Sequence, residues 1–259
     1  MCNCLIIFMN RIQLYLSHPH PCSYLTEKQA KTLFLDPRAD LSNALYGQLI
    51  DLGFRRSGAM VYRPECDRCN QCLPTRLTVD LFQPRRSQRR IIEKWRGVEA
   101  IVRNAEFNAE HFALYCRYIN ARHPDGGMNN TSEQQYIEFL TARWCDTFFV
   151  EFRLGGQLAA VAVTDRLAQG LSAVYTFFDP DRAKLSPGVF SILWQIGETR
   201  RLGLPRFYLG FLVPGCRKMA YKAEYRPLQI FNYRKQKWVP LDGRSSAPFL
   251  STLLSRSEG

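Results

Sequence analysis

The chain has 259 residues and 46% of them are hydrophobic, which is enough for one large or two modest cores and indicates a globular protein. No apolar run approaches the roughly 20 residues of a membrane-spanning helix, and the patch at residues 4–9 is too short for a secretory signal. We therefore expect a cytoplasmic protein with reduced thiols, and its net charge of +12 favours contact with polyanions such as RNA.

The first half of the chain is predicted to form an N-terminal domain over residues 11–98. It follows an atypical extension, residues 1–10, which we expect to be disordered, with Met9 as an alternative start. Apolar residues at positions 41, 45, 49 and 52 predict a helix that Gly53 ends in the left-handed conformation. Alternation over residues 76–81 predicts a half-buried strand with Arg76 and Asp80 on its polar face. The arginine-rich stretch 85–96 is interpreted as the connection to the second half.

The second half, residues 99–240, mixes helices with strands, and residues 241–259 are expected to form a flexible tail. A strand near residue 100 precedes a helix capped by Asn108, and after a glycine and asparagine loop Thr131 or Ser132 caps another helix. Strands are predicted at 147–153, 158–167 and 171–178, then a helix from Ser186 to Gly203 and a strand at 206–211. This order predicts an α/β (α+β) fold, with the mixed sheet and flanking helices of the GCN5-related acyltransferases, in two acyltransferase-like halves.

The start of the central helix bears on the acyl donor. In that fold, backbone N–H groups at this point normally hold the phosphates of the donor. Enzymes that use acetyl-coenzyme A usually have a basic or Gln residue and small residues here, whereas this chain has Leu185 and Phe190. The pattern disfavours coenzyme A, and we expect Ser186 and Gly188 to contact a donor with a different phosphate geometry.

Two clusters of basic residues are interleaved with aromatic residues, as in surfaces that bind phosphates and stack bases. A generally solvated basic surface is the alternative. The first cluster contains Arg85, Arg86, Arg89, Arg90, Lys94, Trp95 and Arg96, and the second contains Arg217, Lys218, Tyr221, Lys222, Tyr225 and Arg226.

Three cysteines, Cys66, Cys69 and Cys72, form a C-x2-C-x2-C run whose spacing suits thiolate ligation of a metal. A fourth ligand must come from elsewhere, because Arg76 stands where a bacterial ferredoxin has its next cysteine. Cys22 is the best candidate. The run predicts zinc or an iron-sulfur cluster, and free thiols in a tight loop are the alternative.

These features together resemble bacterial aspartate/glutamate leucyltransferases, relatives of the eukaryotic arginyl-tRNA-protein transferases. The resemblance extends over about residues 12 to 240 and departs from the family pattern at Thr26, Leu212 and Val213. Its matching motifs are the three-cysteine run with Pro74 and residues 21–25, 53–58, 62–64, 87–90, 186–188, 208–210, 214–219 and 221–227. It implies an acyltransferase fold, leucyl-tRNA as donor, proteins with N-terminal Asp or Glu as acceptors, and an N-end degradation pathway as context.

The implied reaction requires orientation, a proton acceptor and a stabilised oxyanion, because the aminoacyl ester is already activated. The sequence shows no nucleophilic constellation, and His18, His20, His111 and His123 are interpreted as loop or surface residues. We assign catalytic roles to Tyr175, Tyr221 and Lys222, although packed aromatic side chains and a solvated lysine are the alternatives. Binding of acceptor or tRNA is assigned to Arg76, Arg89, Arg90, Ser186, Gly188, Arg217, Lys218 and Arg226, and metal binding to Cys22, Cys66, Cys69 and Cys72.

Three other functions remain open from the sequence. The donor could be arginyl-tRNA. The chain could be a coenzyme A-dependent N-acetyltransferase, which Leu185 and Phe190 disfavour. It could also be a non-catalytic metal-containing RNA-binding module, which would bind tRNA and transfer nothing.

Overall fold

The computed structural model describes residues 3–7, 10–122 and 131–241, with side chains from residue 12 onward. The chain divides into two units, each described by itself below. Unit 1 contains residues 1–56, 60–78 and 209–259, and unit 2 contains residues 57–59 and 79–208. The sequence-based division at residues 98 and 99 differs from these boundaries because the C-terminal strands belong to the same unit as the N-terminal ones.

The helices and strands have the following bounds. The strands are β1 (Asn3–Ile7), β2 (Asn10–Leu16), β3 (His20–Pro21), β4 (Gln29–Ala30), β5 (Thr32–Leu35), β6 (Arg55–Ser57), β7 (Met60–Pro64), β8 (Leu73–Thr78), β9 (Glu99–Asn104), β10 (Thr147–Leu154), β11 (Gln157–Leu167), β12 (Gly170–Phe178), β13 (Arg206–Leu212), β14 (Leu228–Asn232) and β15 (Lys237–Pro240). The helices are α1 (Asn43–Asp51), α2 (Arg86–Lys94), α3 (Ala109–Arg122), α4 (Glu133–Leu140), α5 (Pro187–Arg201) and α6 (Arg217–Ala220).

Unit 1 contains the N-terminal sheet, with strand order β1-β2-β5-β7-β6, and the strands β15, β14 and β8 in a second sheet. The predicted helix is α1, which begins where the Ser42 hydroxyl accepts the N–H of Leu45 at 3.2 Å. It ends as predicted, because Gly53 has a φ of +86°. A Cβ at this position would also lie 3.0 Å from the Tyr233 ring, so two constraints favour glycine here.

Unit 2 contains the strands β12, β11, β10 and β9, which pair antiparallel in that order. The parallel ladder between β12 and β13 joins Gly170–Ser172 to residues 206–208. Helices α3 and α4 bury Tyr115, Tyr136 and Leu140 against Phe177 of β12. The predicted strands and the mixed α and β acyltransferase-like fold are confirmed.

Helix caps in unit 2 follow the sequence signals. The Asn108 side chain accepts the N–H of His111 at 3.1 Å, and Ser132 forms a capping box with Gln135. Helix α5 follows Ser186 and is terminated near Gly203, which has a φ of +70°. The loop signals at residues 124–130, together with His123, lie outside the described residues, as do residues 242–259 of the predicted tail.

Three local expectations were wrong. Residues 79–81 form a 3₁₀ turn instead of continuing the strand, so Asp80 is exposed while Arg76 is buried on β8. The arginine-rich connection is helix α2, which Trp95 anchors by stacking on Phe190 with ring centroids 4.5 Å apart. His111 is buried instead of lying on the surface.

Residues 3–7 of the atypical N-terminal extension form β1, which pairs antiparallel with β2. Among the described helices, none combines the length and the apolar character needed to cross a membrane.

Candidate functional site

Lys222 is a buried amine at the centre of the C-terminal motif in unit 1. It follows α6 in a 3₁₀ turn, is 8% exposed, and donates a hydrogen bond from Nζ to the Phe211 carbonyl at 3.0 Å. Burial, together with a smaller contribution from the nearby Arg55 guanidinium, lowers its pKa to about 7. The amine is therefore close to half neutral at physiological pH, which suits a group that accepts and releases a proton.

The backbone around Lys222 is held by side chains of the same unit. Gly210 has a φ of +81°, and a Cβ there would lie 3.4 Å from Lys222 Nζ. The Thr75 hydroxyl donates to the Gly210 carbonyl at 2.9 Å, and the Arg55 guanidinium donates to the Phe54 carbonyl at 2.6 Å. The left-handed backbone at 210 favours glycine, and a Cβ there would only reach van der Waals contact with the amine.

Two of the predicted binding arginines have extensive intramolecular partners. The Arg76 guanidinium pairs with Asp51 at 2.8 Å, donates to Gln229 at 2.9 Å, and lies 4.2 Å from the ring centroid of Trp238. Arg226 donates to the carbonyls of Ala223 and Leu241. These contacts hold β8 and the segments at Ala223 and Leu241, so both guanidinium groups have structural roles in this structure.

Three other residues of the C-terminal motif are accessible, whereas Tyr225 is buried. Arg217 and Lys218 are exposed on α6, and Tyr221 is 40% exposed, with its ring centroid 6.4 Å from that of Tyr225. Accessible cations beside an exposed aromatic ring can contact phosphates and stack on a base.

The four predicted metal ligands line one cavity in unit 1. Cys66 and Cys69 face each other across a β-bridge, and the backbone N–H of Lys31 donates to the Cys66 sulfur at 3.5 Å. Burial raises the pKa of Cys72 to about 12, with further contributions from Cys66, Cys22 and Cys69. The donor set fits a thiophilic metal, although no three His, Cys, Asp or Glu side chains among the described residues are gathered closely enough to hold an ion.

The predicted donor-binding residues of unit 2 lie near the junction of α2 and α5. Arg89 and Arg90 are exposed on α2. The Trp95 indole, just after α2, donates to the Leu185 carbonyl at 2.9 Å, next to Ser186 and Gly188 at the start of α5. The structure therefore brings two separate sequence predictions together on one unit.

Tyr175 lies on β12 within an aromatic cluster. Its ring centroid is 5.2 Å from that of Phe139 and 6.4 Å from those of Tyr115 and Tyr118. Burial raises the pKa of its hydroxyl, so the phenol stays protonated and can act only as a neutral hydrogen-bonding group near pH 7.

The sequence reasoning missed a buried ionic network in unit 2. Glu151 on β10 accepts hydrogen bonds from Arg153 at 2.7 Å, His111 at 2.9 Å and Arg103 at 3.2 Å. Arg153 also pairs with Glu110. This network joins α3 to the sheet and serves the fold, because buried charges require such partners.

Known proteins identify the family. A family model described as the N terminus of arginine-tRNA-protein transferase matches residues 20–90, and the corresponding C-terminus model matches residues 110–232. The aspartate/glutamate leucyltransferase of Pseudomonas paraeruginosa is 49% identical over 231 residues, covering 89% of this chain and 97% of the relative. The chain belongs to the aspartate/glutamate leucyltransferase family.

Two further leucyltransferases support this assignment. The protein of Alcanivorax borkumensis is 50% identical over 222 residues, covering 86% of this chain and 92% of its own. That of Chromobacterium violaceum is 46% identical over 229 residues, covering 88% and 95%. As a member of this family, the chain is an aminoacyltransferase, as the motifs predicted.

The structure adds cavity residues that the sequence reasoning did not select for this leucyltransferase-family protein. Lys28, Lys31, Tyr62, Tyr233 and Arg234 line the cavity of the four cysteines. They come from three separate parts of the chain, so no single spacing identifies them. The available signals were that Tyr62 belongs to the matching motif at residues 62–64 and that Lys28 and Lys31 closely follow the motif at residues 21–25.

Proposed function

We propose that this protein transfers leucine from leucyl-tRNA to the N-terminal Asp or Glu of acceptor proteins, in the cytoplasm, which marks the acceptors for N-end degradation machinery. The observation that carries the proposal is the identity of 49% to an aspartate/glutamate leucyltransferase over 97% of that relative. The net charge of +12 supports a tRNA partner.

The chemistry requires a proton acceptor. The acceptor amine attacks the ester carbonyl, the new C–N bond forms, the bond to the tRNA ribose oxygen breaks, and one amine proton is transferred while the ribose oxygen gains one. We assign proton acceptance to Lys222, because its pKa of about 7 leaves a neutral amine available. Its hydrogen bond to the Phe211 carbonyl holds the amine nitrogen in place.

The tyrosines are assigned supporting roles. Tyr221 is exposed and can orient the reacting amine or stack on the 3′ end of the tRNA. Tyr175 is assigned as an orienting phenol, and its aromatic neighbours would hold its ring in one position.

Donor binding is assigned to the exposed cations. Arg89 and Arg90, with Ser186 and Gly188, would contact the tRNA from unit 2, and Arg217 and Lys218 would do so from unit 1. Arg76 and Arg226 would support the binding surfaces through their intramolecular contacts. No coenzyme A is required.

The cysteines are assigned to zinc or an iron-sulfur cluster held by Cys22, Cys66, Cys69 and Cys72, which would stabilise this part of the fold. Their common cavity supports the assignment. Metal analysis of anaerobically purified protein should detect zinc or iron that decreases in Cys22→Ser. A wild-type protein that binds neither would contradict it.

Arginyl-tRNA is the second candidate donor, because both matching family models are described as arginine-tRNA-protein transferase. The deciding experiment incubates the purified protein with labelled leucyl-tRNA or arginyl-tRNA and peptides that begin with Asp, Glu, Lys or Ala. We expect label from leucyl-tRNA in the Asp and Glu peptides. Transfer to Lys peptides alone would contradict the proposal, and transfer from arginyl-tRNA alone would replace the donor.

A further inference from the structure

Two buried basic side chains of unit 1, Arg55 and Lys222, meet at Phe211. The Lys222 Nζ donates to the Phe211 carbonyl at 3.0 Å, and the Arg55 guanidinium lies 5.7 Å from the centroid of the Phe211 ring. Lys222 is 8% exposed and Arg55 is 5% exposed. Each positive charge disfavours the other in such a place, and because arginine stays charged, the lysine is the group that gives up its proton.

Arg55 is held by backbone carbonyls from three parts of unit 1. Its Nη1 donates to the Phe54 carbonyl at 2.6 Å and to the Ile50 carbonyl, near the end of α1, at 3.4 Å. Its Nη2 donates to the Thr75 carbonyl of β8 at 3.4 Å. Backbone carbonyls have no net charge, so these bonds hold the guanidinium in place without neutralising it.

The contacts of Arg55 continue to the backbone that Lys222 binds. The Thr75 hydroxyl, on a fully buried residue, donates to the Gly210 carbonyl at 2.9 Å. Gly210 has a φ of +81° and directly precedes Phe211 on β13. A displacement of Arg55 would therefore be transmitted through Thr75 to the carbonyl that fixes the Lys222 amine.

The ionisable side chains of β7 and β8 near this pair add little net charge at neutral pH. Tyr62 of β7, whose ring centroid lies 6.2 Å from that of Phe211, stays protonated because burial raises its pKa. Arg76, next to Thr75 on β8, is paired with Asp51 at 2.8 Å.

The turn that carries Lys222 contributes two further ionisable groups. Tyr225 is buried, and burial raises its pKa, so its hydroxyl stays protonated. Glu224 is exposed, where water and salt screen its charge. Burial and the charge of Arg55 are the influences that lower the pKa of the Lys222 amine.

We infer that Arg55 is a positioning residue for leucine transfer, which holds the Phe211 backbone beside Lys222 and keeps the Lys222 amine unprotonated until it takes a proton from the acceptor amine. The inference rests on the proposed function, in which Lys222 accepts that proton. Because Arg55 is 5% exposed, it acts through Lys222 and not by contact with a substrate.

The experiment separates the charge of Arg55 from its hydrogen bonds. Arg55→Gln keeps a side-chain donor and removes the charge, whereas Arg55→Lys keeps the charge and loses the planar guanidinium. Arg63→Met is the matched control. The Arg63 guanidinium also contacts Phe54, 5.1 Å from its ring centroid, but it is paired with Glu65 at 3.0 Å. Thermal melting verifies folding, and Arg55→Met replaces Arg55→Gln if that variant does not fold.

Two pH titrations are measured for each protein. The first follows the Lys222 side chain by NMR in protein with carbon-13-labelled lysine, and the spectrum of Lys222→Met identifies the Lys222 signal. The second follows kcat for leucine transfer to a peptide with an N-terminal Glu. The acceptor amine is the same in every reaction, so a difference between the kcat profiles reports a group of the enzyme.

In the wild type, Lys222 should titrate near pH 7. In Arg55→Gln we expect both titrations to move up by about one pH unit, because a like charge near a buried amine is lost. At pH 7, kcat should then be roughly fivefold lower than in the wild type, and the difference should shrink as the pH rises. Arg55→Lys and Arg63→Met should keep the wild-type midpoints.

Two results would overturn the inference. One is a folded neutral variant at position 55 in which Lys222 titrates as in the wild type, even if kcat falls equally at every pH, since that pattern indicates structural support alone. The other is an Arg55→Lys protein whose midpoints rise as far as those of Arg55→Gln, which would mean that the charge has no effect.

Failure of the proposed function has a different signature. A wild-type protein that transfers no leucine would contradict the proposed function, while the NMR titration of Lys222 would still measure the effect of Arg55 on the amine. The two failures are therefore distinguishable.

Discussion

The side-chain amine of Lys222 is buried, and burial disfavours its charged ammonium form. Its pKa of about 7 lies below the ordinary lysine value of 10.5. At pH values between 7 and 10.5, Lys222 is therefore more protonated in the unfolded chain than in the folded chain. The folded state therefore loses stability as the pH falls from 10.5 towards 7. A buried lysine that lowers the stability of the folded state indicates that Lys222 has a role other than stability.

Lys222→Met tests that role, because methionine has a similar shape and no charge. We expect the melting temperature at pH 7.5 to be unchanged or higher, since the desolvation cost disappears and about 1 kcal/mol of hydrogen bonding to Phe211 is lost. We expect kcat to fall by about 10²- to 10⁴-fold, the usual contribution of general base catalysis. Steady-state kinetics and thermal unfolding measure both effects.

The pH profile separates proton transfer from structural support. Wild-type kcat should rise with pH through about 7, where Lys222 loses its proton, and the variant should lack this rise. Lys237→Met is the control, because Lys237 is exposed on β15 of the same unit and is assigned no role in binding or catalysis. A variant with full kcat and an unchanged profile would exclude Lys222 from catalysis.

Glu151 and His111 make stability depend on pH in unit 2. Burial opposes ionisation of Glu151, but hydrogen bonds from Arg153, His111 and Arg103 outweigh it and keep its pKa below the ordinary value. Burial also lowers the pKa of His111, against the opposite effect of Glu151. Both groups favour the folded state at pH values above the pKa that each has in the unfolded chain. This contribution to stability is lost as the pH falls.

We expect Glu151→Gln to lower the free energy of unfolding by roughly 1 to 3 kcal/mol at pH 7.5, because the half-buried Arg153 and the exposed Arg103 lose a charged hydrogen-bond acceptor. Urea unfolding followed by circular dichroism measures this free energy. Glu133→Gln is the control, because Glu133 is exposed. Wild-type stability should also decrease below about pH 6.5, where the unfolded histidine takes up a proton first. Equal stability of the two variants would contradict this role.

Distant partners explain why single residues were hard to predict. The alternation around Arg76 predicted a polar strand face, but its guanidinium is buried by Asp51, Gln229 and Trp238 from two other parts of the chain. The same holds for His111, whose partner Glu151 lies 40 residues away. A sequence pattern reports local exposure, while these roles depend on tertiary contacts.

Elements with strong periodicity and caps were predictable. Helices α1 and α4 and strands β10 to β12 were confirmed, because their apolar spacing and caps agree with their burial. Helix α2 was missed, since nearly all of its residues are polar and Gln88 is its buried residue. Its anchor, Trp95, follows the helix and contacts residues almost 100 positions later.

Helix α2 presents cations in a form suited to RNA phosphates. We expect the double variant Arg89→Ala and Arg90→Ala to weaken leucyl-tRNA binding and to reduce the slope of log affinity against log salt by up to about 2, since each lost phosphate contact lowers the slope by about 1. Filter binding over a salt series measures the slope. The choice among acceptor peptides should not change.

Arg143→Ala is the control for α2, because Arg143 is exposed in the same unit outside the helix. If the double variant and the control had the same salt dependence as the wild type, α2 would not contact the tRNA. A defect limited to acceptor choice would also contradict the assignment.

At the scale of the whole molecule, sequence order and spatial grouping differ. The family motifs at 53–58 and 221–227 lie far apart in the sequence, yet Arg55 and Lys222 interact within unit 1. The sequence predicted two acyltransferase-like halves from composition and element order. It could not reveal that β14, which lies within the predicted second half, pairs with β8 from the first.

These pairings lead to a prediction about fragments. A fragment of residues 79–208 keeps Trp95 stacked on Phe190 and the whole β9 to β12 sheet, so we expect it to unfold cooperatively. A fragment of residues 99–240 loses Trp95, a change that costs about 3 to 5 kcal/mol when a large aromatic side chain is removed from a core. It also leaves β14 without its partner β8, exposing an unpaired strand edge. We therefore expect residues 99–240 to be less stable or aggregated, although this fragment is longer.

Circular dichroism melting and size-exclusion chromatography of both fragments measure the difference. A stable, monomeric 99–240 fragment beside an unfolded 79–208 fragment would favour the boundary at residues 98 and 99.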